Sequence, residues 1–180
     1  MKSMNLSILA LVCAGMIATS AQAAETTATA AGPTDPQIAA IVVTANSVDV
    51  EAGKEAKVKS RNKEVRKFAQ QMITDHTAVN KSAVELVTKL KVTPEENDTS
   101  RSLKKGGDEN IANLKTLKGR AFDKAYVAHE VAYHQAVLDA LDKTLIPSAQ
   151  NAELKALLVK VRPAFVAHLE HAQHIQSTLK

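Results

Sequence analysis

Cysteine is nearly missing from this chain. The single one, Cys13, lies in the apolar N-terminal run, so a chain that loses that run has neither disulfides nor thiolate chemistry. Tryptophan is absent and aromatic residues make up only 3% of the sequence, which leaves an aliphatic, alanine-rich core of the kind helix bundles use. There is no glycine-rich phosphate loop, no Ser/His/Asp constellation, no cysteine-based zinc pattern and no repeat of solenoid period. No heptad seam continues far enough for an extended coiled coil. The formal charge of +4 is small and its signs are interspersed, which argues against nucleic acid as a partner. Beyond the N-terminus no run is apolar for long enough to cross a membrane, so no integral membrane segment is expected in the mature chain.

What is present begins with an address. Lys2, the apolar run Leu6 to Ile17 and the small-x-small sequence Ala21-Gln22-Ala23 form a secretory signal peptide over residues 1–23. Cleavage is expected after Ala23, with a periplasmic destination. Val12 is large for the position before a lipidated cysteine and apolar sequence continues past Cys13, which argues against an acylated anchor. Residues 24–34, rich in Ala and Thr, read as a flexible leader to a single domain over residues 35–180.

Periodicity and caps predict four long helices in that domain. The first opens at Asp35-Pro36, with Asp35 as N-cap, and runs to about Lys59 on a stripe of Ile38, Val42, Ala45, Asp49, Ala52 and Ala56. After the polar turn Ser60-Arg61-Asn62, the second carries Val65, Ala69, Met72, His76, Val79, Ala83, Leu86 and Leu90. A long connection from Thr93-Pro94 to Gly119 follows, containing Gly106-Gly107 and a short amphipathic piece with Ile111, Leu114 and Leu117. The third helix starts near Arg120, with stripe Val127, Val131, His134, Leu138, Leu141 and Leu145, and ends at Pro147. The fourth starts near Asn151, with stripe Leu154, Leu158, Val161, Phe165, His168, Ala172, Ile175 and Leu179; Pro163 predicts a kink before His168. Short turns make helices one and two, and three and four, antiparallel hairpins. The long connection can travel the length of a helix and make helices two and three parallel, the ferritin-like arrangement; an up-down-up-down bundle with a decorated loop is the alternative.

From Asp35 to the C-terminus the chain resembles the domain-of-unknown-function 4142 family, a ferritin-like group of exported bacterial proteins. The words that carry the resemblance are Val50-Glu51-Ala52-Gly53, Val65-Arg66-Lys67-Phe68-Ala69, Met72-Ile73-Thr74-Asp75-His76-Thr77, Phe122-Asp123-Lys124-Ala125-Tyr126, His134, Pro163 and His168-Leu169. The resemblance implies an all-α, ferritin-like four-helix bundle exported to the periplasm and little about activity. Members are often labelled outer-membrane proteins, but this sequence lacks the alternating strands of an outer-membrane barrel.

The feature with chemical content is three histidines where leucines are expected. His76, His134 and His168 each sit on an apolar stripe near the midpoint of a different helix, so they should form a polar layer halfway down the bundle. A buried imidazole without a partner costs roughly 1–3 kcal/mol, so each must find one. Asp49 and Glu51 on helix one, Asp75 on helix two, and Tyr126 and Glu130 on helix three are placed to supply partners. The leading reading is a buried hydrogen-bond network in a non-enzymatic envelope or stress protein that works through an envelope partner or self-association. The alternative is one transition-metal ion (zinc, iron, manganese or copper) held by Glu51, His76, His134 and His168 in a buffer, chaperone or sensor. A small-ligand or proton-linked role and a metalloenzyme are further readings. Di-iron chemistry is disfavoured because Glu-x-x-His pairs are missing: Ile73, Val131 and Phe165 stand three residues before the histidines. His171 and His174 on helix four are either a surface chelate or, as favoured, a polar face near the C-terminus. His129 and Tyr133 are ordinary i, i+4 packing. A neutral buried network should depress the histidine pKa values, whereas ion pairing with Asp49 or Glu51 should raise them.

Overall fold

A computed structural model of the chain describes residues 32–179, and every regular element among them is helical. The expected signal peptide, Cys13 and most of the leader lie outside the described residues. The elements are α1 (Asp35–Lys59), α2 (Lys63–Leu90), α3 (Asp98–Thr116) and α4 (Gly119–Ala140), then a π-helical segment Leu141–Leu145, α5 (Ile146–Ser148) and α6 (Ala152–Thr178). None of these helices is long and apolar enough to cross a membrane.

The helix ends follow local chemistry. The Asn62 side chain accepts from the N–H groups of Glu64 and Val65 to cap α2, and Asn151 does the same for α6 through Glu153 and Leu154. The start of α1 differs from expectation. Thr34 is its N-cap and Asp35 its first helical residue. Freed from capping, the Asp35 carboxylate accepts the N–H groups of Gln150 and Asn151, at 2.9 and 2.8 Å, and ties the start of α1 to the start of α6. Pro147 falls in the last helical turn before the chain reverses. Pro163 lies inside α6, which continues through it.

The long connection is the main departure from the sequence reading. Most of it is α3, a 19-residue helix capped by Asn97, whose Oδ1 accepts from the N–H of Ser100. Its composition is strongly polar and its larger apolar residues are few, Leu103, Ile111 and Leu114, so only the short piece near its end stands out in the sequence. It lies against α1, and Gly107 is where the two backbones come close: a Cβ there would meet Val48 Cγ2 at 2.7 Å. Asn97 donates to Gln37 O at the beginning of α1, and Lys59, at the end of α1, donates to Leu114 O and Lys115 O at the end of α3. The two helices are therefore parallel. Since α2 runs antiparallel to α1, the crossover gives α4 the direction of α2, and α6 again follows α1; α4 packs mainly against α6, and α2 against α1.

Four helices, α1, α2, α4 and α6, enclose a core in two parts. One part gathers Ile38, Ile41, Leu138, Leu145, Leu158 and Phe165; the other gathers Ala56, Val65, Phe68, Phe122, Tyr126 and Ile175. On each helix the residues between the two parts include a polar one: Asn46 and Asp49, His76, Glu130 and His134, and His168, all buried. The apolar core is interrupted by a polar layer at one level of the bundle.

Candidate metal centre in the core

Helical register selects which side chains enter this layer. Asp49 follows Val42 and Ala45 on the inner face of α1 and is buried, whereas Glu51 lies two residues on, ~200° around the helix, and is exposed. Asp49, and not the expected Glu51, is therefore the α1 carboxyl that faces the layer. His76, His134 and His168 do converge. Their ring centroids are 5.2–5.5 Å apart, and one ring nitrogen from each lies within 4.8 Å of the others. Phe165 packs on His76 and His134 with centroids at 5.0 and 5.9 Å, covering the layer with an apolar ring.

Each imidazole is held by one nitrogen. The Asn46 amide nitrogen donates to Val42 O at 2.7 Å, so its oxygen must accept, and His76 Nδ1 donates to it at 2.7 Å. His134 Nδ1 donates to the main-chain oxygen of Glu130 at 2.9 Å, a group that can only accept. His168 Nε2 donates to the Asp75 carboxylate at 2.9 Å. With those nitrogens carrying hydrogen, the opposite ones (His76 Nε2, His134 Nε2 and His168 Nδ1) carry lone pairs, and all three are buried without a hydrogen-bond partner. An acceptor or carbonyl behind each ring, fixing its tautomer and orientation, is the usual outer support of a metal-ligating histidine.

Asp49 lies beside His76. Its Oδ2, also without a hydrogen-bond partner, is 3.5 Å from His76 Nε2. An ionised Asp49 oxygen and the His76 lone pair at that distance suit a shared cation: bonds of ~2.0–2.1 Å at tetrahedral angles place ligand atoms ~3.3 Å apart. Beside them, oxygens of Asp49 and Glu130 and a nitrogen of His134 form a second close group. Glu130 Oε2 is 3.5 Å from His134 Nδ1, on the side of the ring away from the lone pair. Both Glu130 oxygens and the Tyr126 hydroxyl are buried and unpartnered.

Burial dominates the electrostatics. It lowers the His76 pKa to about 2 and the His134 pKa to about 4, each ring further disfavoured by neighbouring histidines. Burial also lowers His168, with Asp75 opposing the shift. It raises Asp49 to about 8, with Glu130 opposing, and raises Glu130 well above the carboxylate range, with Asp49 adding to the shift. The depressed histidines match the neutral state expected of a buried layer, and neutral imidazoles are the form that binds metal.

Of the supporting residues, Asp75, Asp49 and Glu130 meet the histidines directly, while Tyr126 lies among the aromatics of the neighbouring core, edge-on to Phe68. His171 and His174 are not drawn into a site. His171 Nδ1 meets Gln71 Oε1 at 3.2 Å and its ring packs edge-on against Phe68, while His174 is exposed. His129 stacks on Tyr133 as expected. Asn46 was missed by the sequence reading; the available signal was a polar residue three before Asp49, on the same inner face.

The layer offers three imidazole nitrogens to a single ion, with the Asp49 carboxyl beside His76 and Glu130 beyond it, a donor set that suits zinc and its first-row neighbours better than calcium or magnesium. We find no match to the chain among curated proteins or among solved structures. The family described as a domain of unknown function (DUF4142) matches residues 18–175, nearly the whole chain, and the protein belongs to that family.

Proposed function

We propose that this protein is an exported, ferritin-like helix bundle that binds one first-row transition-metal ion, zinc fitting best, through His76, His134, His168 and Asp49. The observation that carries this reading is the arrangement of the rings. Each donates outward to a fixed acceptor and leaves its other nitrogen without a hydrogen-bond partner, and one ring nitrogen from each lies within 4.8 Å of the others. A self-sufficient hydrogen-bond network would set a donor against each of those lone pairs, because each buried polar atom left alone costs roughly 1–3 kcal/mol. A cation satisfies them together. Rings at 0–2% exposure favour retaining an ion over turning over a substrate, which needs an open coordination position. A metal buffer, chaperone or sensor in the periplasm is the role we infer. The signal-like residues 1–23 support export, and the parallel course of α2 and α4 supports the ferritin-like assignment.

Elemental analysis of untagged protein purified from the periplasm tests this. About one equivalent of a transition metal is expected in the native chain, and loss of it in His134→Ala. Less than about a tenth of an equivalent, with none taken up on adding zinc, sinks the reading.

A further inference from the structure

The three histidines are not held alike. Asn46 and the Glu130 main chain, which anchor His76 and His134, lie inside the bundle. Asp75, which anchors His168, has a side chain 40% exposed, although His168 itself is only 2% exposed. Releasing His76 or His134 from its anchor strands a buried donor and acceptor, a cost water cannot offset. Releasing His168 from Asp75 leaves the carboxylate facing solvent, where water replaces the lost bond. The contact lies on the seam between α2 and α6, and one turn further along that seam Gln71 meets the half-buried His171 in the same way. Both rungs of the seam are side chain to side chain, so the imidazole on each can turn without disturbing backbone.

Building on the metal-site reading above, we propose that the α2–α6 seam is the route by which the ion reaches and leaves the core, with His168 as the ring that swings and Asp75 as the latch that holds it in place. In the latched state His168 closes the layer. In the unlatched state its ring turns outward, with His171 one turn away on the same helix as the next imidazole ligand. Asp75 is a positioning residue: its bond to His168 is compatible with both the empty and the filled site, so it governs the rate of exchange more than the affinity.

Stopped-flow uptake of Co(II), and its release to a chelator, measured on the whole mature protein, test the route. Asp75→Ala is expected to speed both uptake and release about tenfold, with the equilibrium affinity changed less than threefold. Asp75→Asn, which keeps an acceptor, should stay close to the native rates. Asn46→Ala, which frees His76 inside the bundle, should weaken binding without speeding uptake. Native protein that binds Co(II), with Asp75→Ala loading at the native rate or Asn46→Ala loading as fast as Asp75→Ala, overturns the route alone. Native protein that binds no Co(II) overturns the metal site and the route with it.

Discussion

His76 is fully buried, gives its Nδ1 hydrogen to Asn46 and leaves Nε2 facing Asp49 Oδ2 at 3.5 Å. That geometry makes the identity of the acidic ligand a sharp test. Asp49→Asn removes the carboxyl that faces His76 and that a bound cation would ionise, and is expected to weaken zinc binding about 100-fold, equivalent to ~3 kcal/mol. Glu51→Gln, on the outer face of the same helix, is expected to leave binding unchanged. Calorimetric titration of the two variants decides it; equal effects, or a larger loss in Glu51→Gln, contradict Asp49 as a ligand. The histidines themselves were legible as polar residues on apolar stripes. Asp49 was legible on the same ground, since it stands on the apolar stripe of α1 and Glu51 lies off it, so the expectation of Glu51 as a ligand ran against the stripe. The tautomers were invisible, since they depend on Asn46 and on a main-chain oxygen that lone spacing does not single out.

At the scale of elements, α3 carries the largest lesson. Its ends bear signals that are readable afterwards, such as Asn97 followed by Ser100, but its body is polar and holds two adjacent glycines. Glycine pairs argue for a loop when the helix is considered alone. In place, the two have opposite roles. Gly107 sits against Val48 with no room for a methyl group, and Gly106 has nothing within 4 Å of where its Cβ would be. Gly107→Ala is expected to destabilise the fold by about 1–3 kcal/mol by forcing α3 off α1. Gly106→Ala is expected to stabilise it by about 0.5–1 kcal/mol through helix propensity alone. Urea unfolding of both variants measures this, and a Gly107→Ala protein as stable as the native one contradicts the close packing. Tertiary contact with α1 overrides local propensity here, which is why the helix was not foreseen.

For the whole molecule, the layer sets a pH dependence with two opposed arms. The histidines have depressed values in the fold, so the stability tied to their neutral form is complete above the unfolded value near 6.5 and is lost as pH falls below it, toward about 4 for His134 and about 2 for His76. Asp49 is raised to about 8 and Glu130 is raised as well, so their contribution is complete below the ordinary carboxylate value and is lost as pH rises. Below about 6.5 the three histidines oppose the two carboxyls. Above it only the carboxyls act. Metal-free protein is therefore expected to be most stable near pH 6.5 and to lose stability between pH 6.5 and 8. Thermal unfolding in chelator across pH 5 to 8.5 checks this, and a steady rise through pH 8 contradicts it. A bound cation favours the ionised carboxyls and should remove the alkaline arm.

The amino-acid order by itself determined where four of the long helices run, because apolar period, capping side chains and prolines act within a few residues of one another. It also determined that polar groups must interrupt the core at one level, since His76, His134 and His168 occupy stripe positions whatever the helices pack against. Tertiary structure alone decided the rest. It turned the connection into a helix by laying it on α1, chose the parallel course of α2 and α4 over the up-down-up-down alternative, and fixed which nitrogen of each histidine carries the hydrogen. Those outcomes depend on the rotation and relative placement of whole helices, and such long-range geometry has no local signature for a sequence pattern to carry.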